Sequence, residues 1–211
     1  MEKPELQPDC GRCQGLCCVS LAFDQGQWFG FSKASNEPCR HLQRTNRCAI
    51  HASLARLGQA GCANYDCYGA GQRVSELFPG KDWRRNPEAA ERMFAVFNTL
   101  QPLNELRALL HAAARLELPE ACAAERSTLL LRLDAISRVG VDEFASIHVA
   151  PEQARVHTFL RSLRDYVSLD ERGFRTEDSA SSPPRWRASC LSSRDTRFEN
   201  GAAQLLSLRR K

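Results

Sequence analysis

Apolar residues recur with a helical period through the middle of the chain. In NPEAAERMFAVFNTL, Ala90, Met93, Phe94 and Phe97 fall at i, i+3, i+4 and i+7, which gathers them into one stripe of a helix. Asn86 suits the cap of that helix and Pro87 its first position, where a missing N–H costs nothing. PLNELRALLHAAARL repeats the design with Leu103, Leu106, Leu110 and Ala113, and PEACAAERSTLLLRLDAISRVG opens at a proline and stops near Gly140. In APEQARVHTFLRSLRDYV, Val156, Phe159, Leu160, Leu163, Tyr166 and Val167 share a face. Four amphipathic helices with short Pro or Gly connections predict an antiparallel helical bundle or array over 84–170, with the stripes as its core.

The pattern changes on either side. Residues 1–83 are rich in Gly and Cys, with only short apolar pieces such as VSLAF and QWFGF, and read as loops, short strands or turns organised around something other than a large apolar core. Residues 171–211 contain EDSASSPPRWRAS and little that is apolar before AAQLLSL, so a flexible, disordered basic tail is expected, with a short helix at Leu205, Leu206 and Leu208. The expected fold class is mainly α: a loop-rich cysteine module, a helical region and a tail.

Composition narrows the class. The 211 residues, 43% hydrophobic, suffice for one or two cores, so dense cysteine is not needed to staple an undersized domain. The segment MEKPELQP lacks the apolar run of a secretory signal, and nothing later approaches the ~20 apolar residues of a membrane span. The expectation is a cytoplasmic protein, in a compartment that keeps thiols reduced and so favours metal binding or reactivity over permanent disulfides. The net charge is +4, yet acidic and basic residues nearly balance through residue 170 and the excess lies in the tail. A folded part without a basic face argues against nucleic acid as a partner. The tail's RWR and RRK read as solvated charge.

Eight of the ten cysteines lie between Cys10 and Cys67: Cys10, Cys13, Cys17, Cys18, Cys39, Cys48, Cys62 and Cys67. Cys10-x2-Cys13 lets two side chains converge on one ion through a tight turn, and Cys13-x3-Cys17 adds a third. Gly11, Gly15, Gly61 and Gly69 flank these positions, where a backbone wrapping an ion needs positive φ. If CGRCQGLCC is extended, Cys17 and Cys18 point to opposite sides, so each serves a different metal or only one is a ligand. Eight thiolates fit two four-thiolate sites, or one iron–sulfur cluster with extra thiols beside it; sulfur ligands alone do not choose between zinc and an iron–sulfur cluster. Cys122 and Cys190 lie outside the group and read as ordinary residues. His51, three residues after Cys48, and His41, two after Cys39, read as surface or hydrogen-bonding histidines, and His111, His148 and His157 as structural or surface residues.

CGRCQGLCC followed by PCRHL, RCAIH and a downstream GC resembles the CxxCxxxCC zinc- or iron-chelating proteins, the YkgJ-like family, whose pattern also occurs in bacterial flagellin lysine N-methylases. GLCCVSLAF, FGFSK, EPCRHL, RCAIHASL and GCANYDCYGAGQRV further resemble the N-terminal cysteine region of certain bacterial pentapeptide-repeat proteins, as far as about Trp83. The resemblance implies an eight-cysteine metal-binding module carried on Cys10, Cys13, Cys17, Cys18, Cys39, Cys48, Cys62 and Cys67. No pentapeptide solenoid follows: CLSSRDTRFENGAAQLL holds at most a degenerate trace, so the solenoid's functions do not transfer. No methylase signature is present.

GAGQRV at Gly69 lacks the third glycine and later acidic residue of a dinucleotide loop and reads as a turn closing the cysteine module. No GxSxG, HExxH or Walker sequence occurs. The expected function is a metal-binding cysteine-cluster protein, with zinc or an iron–sulfur cluster in a structural role and a protein partner received on the helical region. The alternative is an iron–sulfur or metal-dependent enzyme of protein or peptide modification, which needs a replaceable ligand position.

Overall fold

Residues 5–167 are described in this computed structural model, and among them six α-helices occur: α1 (Leu16–Ser20), α2 (Ala60–Asn64), α3 (Ala70–Leu77), α4 (Pro87–Ala113), α5 (Glu120–Ser137) and α6 (Val149–Ser162). The chain is mainly helical, as its periodicity predicts. The expected tail over 171–211, with Cys190, lies outside the described residues.

The longest helix starts where its cap predicts: the Asn86 side chain accepts from the Ala89 N–H at 3.0 Å, with Pro87 next. It does not stop at Pro102. The two helices expected on either side are one, α4, and the reason is in its buried positions. Met93, Val96, Phe97, Leu100, Leu103, Leu106, Leu110 and Ala113 continue one stripe straight across the proline. Burial of that stripe along its whole length offsets the ~3 kcal/mol that an interior proline costs.

The short connection 114–119 returns the chain along α4. Arg107 pairs with Asp134 at 2.6 Å while Arg92, earlier on α4, pairs with Asp142, beyond α5, so the two helices run antiparallel. A bidentate contact at 2.8 Å from Arg132 to Glu152 ties α5 to α6. Val156, Phe159 and Leu163 are buried as expected, but Tyr166, expected on the same face, is 38% exposed because α6 ends at Ser162 and a 3-10 turn (Leu163–Tyr166) changes the phase.

Two apolar clusters divide the core. Leu103, Leu106, Leu110, Cys122, Leu133, Val156, Phe159 and Leu163 form the one inside α4, α5 and α6. The other joins Met93, Phe94, Val96, Phe97 and Leu100 to Leu16 and Val19 of α1, Val74 of α3, and Trp83. The cysteine-rich region therefore has more apolar core than its composition suggests, and it shares that core with the first half of α4. Trp83 fixes the joint: its Nε1 donates to the Gln14 carbonyl at 3.0 Å and its ring meets Phe94 edge-on at 5.8 Å. A hydrogen bond of 2.7 Å from Ser20 Oγ to Asn98 Oδ1 adds a second tie.

Arg107 makes a third joint. Its side chain is 3% exposed and meets Asp134, Asn104 Oδ1 at 2.9 Å and the Glu5 carboxylate at 3.1 Å, while Asn104 Nδ2 donates to the Tyr68 carbonyl at 2.8 Å. Arg138 holds the same Glu5 oxygen at 3.1 Å. The segment before Cys10 is thus strapped across the loop that carries Cys67. The strap is why GAGQRV begins as it does. Gly69 sits at φ 78°, where a Cβ would lie 2.0 Å from the Glu5 carbonyl oxygen. After that residue the sequence becomes α3 rather than remaining a turn.

No helix among the described residues is long and apolar enough to cross a membrane.

Candidate functional site

The cysteines are carried on short pieces rather than on strands. Cys10 begins a 3-10 turn (Cys10–Arg12) that the Asp9 carboxylate caps through the Gly11 N–H at 2.9 Å, and Cys13 follows it. Gly15 at φ 73° then admits α1. Cys17 and Cys18 are therefore helical, not extended. Successive positions on a helix are about 100° apart, and here the two sulfurs stay within 4.0 Å of each other, so the pair is not splayed to opposite sides as expected of an extended segment. Leu16 and Val19, on either side of the pair, are fully buried and hold α1 in the core. Cys39 and Cys48 lie in the following loops, Cys62 lies in α2, and Cys67 precedes α3.

Backbone contacts pull these pieces together. The Cys39 N–H donates to the Cys18 carbonyl at 2.8 Å. Leu42 and Cys48 form an isolated antiparallel bridge, and the Ala49 N–H reaches the His41 carbonyl at 2.8 Å. Arg47, beside Cys48, clasps the first turn: its guanidinium donates to the carbonyls of Cys10, Gly11 (2.7 Å) and Cys13 (3.3 Å). Across α3, a Cβ on Gly71 would lie 2.6 Å from Cys13 Sγ and 3.8 Å from Cys67 Sγ, so the bare Gly71 backbone is the cradle of both sulfurs.

All eight are free thiols; Cys10 is exposed and the other seven are partly buried. Three of them receive backbone N–H groups at sulfur: Cys13 from Gly15 and Leu16, Cys48 from Ile50, and Cys67 from Gly69 and Gly71. Amides aimed at sulfur favour the thiolate. Burial opposes them and wins, pushing the Cys13 and Cys62 thiols up to about 11 and raising Cys48 and Cys67. Neighbouring sulfurs add to the rise. Cys13 is raised by Cys67 and Cys10, Cys17 by Cys18, Cys13 and Cys67, and Cys67 by Cys10. Cys62 is raised by Cys18, Cys39 and Cys48, and Cys48 by Cys18 and Cys39, with Cys10 acting on Cys48 as well.

The sulfurs of Cys17 and Cys18 lie 4.0 Å apart. The Cys17 S–H donates to Cys18, which lowers Cys18, helped by the Lys33 charge, and raises Cys17 well above the ordinary thiol range. Among the described residues no group of three or more His, Cys, Asp or Glu is drawn into an arrangement that could hold a metal ion.

His41 packs its ring edge-on against Phe31 at 5.7 Å, and His51 is exposed in a 3-10 turn (His51–Ser53). His111 and His148 are exposed on or beside helices.

Two residues beside the sulfurs have no signature in the sequence. Lys33 is 7% exposed, and its ammonium donates to three backbone carbonyls near Cys18. The Tyr65 hydroxyl is buried without a hydrogen-bond partner, and its phenol is raised by burial and by the neighbouring Cys17 and Cys67. Only an alternation of apolar neighbours around Lys33, as in FGFSK, hints that this lysine turns inward.

The chain is 36% identical over 169 residues to the uncharacterized protein YybG of Bacillus subtilis (strain 168). The matched stretch is 80% of this chain and 61% of that relative, so the chain spans less than two thirds of the relative's length. No family model and no solved structure matches it.

Proposed function

We propose that residues 1–83 form a metal-folded module in which eight cysteines hold two metal centres, of zinc or iron–sulfur type, in a structural role inside a cytoplasmic protein. One centre takes Cys10, Cys13, Cys17 and Cys67, and the other Cys18, Cys39, Cys48 and Cys62. The observation that carries this reading is the cradle at Gly71, where Cys13 and Cys67, far apart in sequence, bring their sulfurs to one glycine with backbone amides turned toward them. The buried, partnerless Tyr65 hydroxyl beside the same set is a further donor for which thiolate sulfur is a fitting acceptor.

The donor set fits a soft or borderline ion. Packed thiols hold their protons more tightly than isolated ones, and a bound cation reverses that balance by stabilising the thiolates. When present, the metal supplies crosslinks between loops that are otherwise joined by scattered backbone hydrogen bonds rather than by a sheet. The residues of the chain do the rest. Arg47 fixes the Cys10 turn, Gly15 and Gly69 set the entry angles of α1 and α3, and Leu16 and Val19 fasten the shared helix to the core. The helical region then offers its outer face to a protein partner.

Anaerobic purification followed by elemental analysis tests the reading. Two zinc ions per chain in colourless protein, or iron and sulfide in brown protein, is the expected result. A chain that carries neither, and whose far-UV spectrum and proteolysis pattern are indifferent to chelators, overturns it. Chelation is expected to loosen the cluster shared by α1, α3 and the first half of α4, while the cluster inside α4, α5 and α6 persists.

A second reading, catalysis at an open metal position, is favoured by Cys10, the exposed member of the eight, as the replaceable ligand. Cys10→Ser protein that keeps its fold and metal content while losing a modification activity would support this second reading.

A further inference from the structure

Residues 5–9 cross the molecule as a strap with neither helix nor strand, and the surface that receives them has the parts of a peptide groove. Gln72 of α3 is 7% exposed and bonds the strap with both polar atoms of its side chain. Its Nε2 donates to the Gln7 carbonyl at 2.8 Å, and its Oε1 accepts from the Asp9 N–H at 3.0 Å. An amide used in this way recognises main chain, whatever side chains the segment carries. At the other end two guanidiniums, Arg107 and Arg138, close on the Glu5 carboxylate, each at 3.1 Å. Between the two ends Gly69 admits the strap backbone, since a Cβ there would stand 2.0 Å from the Glu5 carbonyl oxygen.

Groove and occupant are unequally anchored. Without the strap, Arg107 keeps Asp134 at 2.6 Å and Asn104 Oδ1 at 2.9 Å, and Asn104 keeps the Tyr68 carbonyl at 2.8 Å. Ala70 and Val74, both fully buried, hold α3 in the core. A surface supported from behind stays organised when its occupant leaves. The strap has no comparable hold: Glu5 and Gln7 are exposed, and the half-buried Leu6 belongs to neither apolar cluster. Its departure leaves the two guanidiniums with Asp134 as their remaining ion-pair partner among the described residues. That opens a place for one incoming carboxylate.

We infer that this groove is a peptide-binding site, with residues 5–9 as its resident occupant in cis. The partner it fits is a short acidic segment of another protein, offering a glutamate to Arg107 and Arg138 and main chain to Gln72. The guanidinium pair selects the charge, Gln72 fixes the register, and Gly69 allows the close backbone approach. A tethered occupant competes at high effective concentration, so the site stays masked until the strap loosens. Metal binding is not required for any of these contacts.

The test is fluorescence anisotropy of a labelled, C-terminally amidated peptide, Pro-Glu-Leu-Gln-Pro-Asp, titrated with the full-length reduced chain. Glu5→Ala and Glu5→Gln, which loosen the strap, are each expected to bind this probe about tenfold tighter than wild type. Replacing the probe's glutamate with glutamine is expected to weaken its binding to those variants by about tenfold. Adding Arg138→Ala to the Glu5→Ala chain is expected to weaken it by about threefold. The Arg138 side chain is 61% exposed, so the fold is expected to survive that change, and circular dichroism checks it. Equal affinities in wild type and both Glu5 variants overturn the inference. So does indifference to the probe's glutamate or to Arg138→Ala, and so does the absence of binding by both folded Glu5 variants at millimolar probe.

Discussion

Gly71 faces the sulfur of Cys13 so closely that a side-chain carbon on the glycine would stand 2.6 Å from it. Contact that tight between a helix backbone and a cysteine fixes what α3 is for. It closes over the sulfurs of Cys13 and Cys67 while burying Val74 beneath.

Gly71→Ala tests that contact. Alanine in a helix interior is worth about 0.5–1 kcal/mol over glycine, so an ordinary helical site would become more stable. Here the added carbon must push the Cys13 sulfur aside. Helix content by circular dichroism is expected to be kept, and metal content by elemental analysis to fall by the equivalent held on Cys13 and Cys67.

Thiol ionisation gives a pH prediction for metal-free protein. Burial raises Cys13 and Cys62 to about 11 from the ordinary thiol value of 9.0. A group raised on folding contributes stability that is present below its unfolded value and is lost as the pH climbs through its folded value. Urea midpoints in the presence of chelator are therefore expected to hold up to about pH 9 and to fall between about pH 9 and 11. Over the same window, alkylation by iodoacetamide is expected to reach Cys18, whose thiol is lowered, before Cys13 or Cys62.

Arg107→Ala removes the cation that Glu5 and Asp134 share. Breaking a buried pair leaves charge without compensation, and a loss of about 3 kcal/mol is expected, near the low end for such changes because the Glu5 side chain stays 46% exposed. Denaturant unfolding measures it. Limited proteolysis should then cut ahead of Cys10 faster than in wild type, since the strap across Tyr68 and Gly69 is released.

Pro102→Ala restores a backbone donor inside α4 and is expected to raise stability by about 1 kcal/mol or more. An increase in the melting temperature with unchanged metal content is the expected result. A decrease would mean that the packing of Leu103 and Leu106 depends on a bend at the proline.

The helical half was legible because its signal is local. Asn86, Pro87 and the spacing of Met93, Phe94 and Phe97 each report on their own neighbourhood, and α4 starts where they say. Pro102 misled for the same reason: the local rule ends a helix there, whereas continuous burial from Met93 to Ala113 is a tertiary effect. In the cysteine half, spacing singled out eight cysteines, but which of them come near one another could not be read from it. Cys13 meets Cys67 through α3, and Arg47 reaches Cys10 across a loop, contacts that no periodicity encodes. Lys33 and Tyr65 were silent because a lysine or tyrosine looks the same in sequence whether it faces water or sulfur.

A single peptide bond separates Cys17 from Cys18, and on the assignment proposed above it is also the border between the two centres. No single cut of the chain separates the two groups of four sulfurs, because Cys67 of the first lies beyond every member of the second. Filling and emptying should accordingly be felt by both halves at once, with five residues of α1 serving as their common hinge pin.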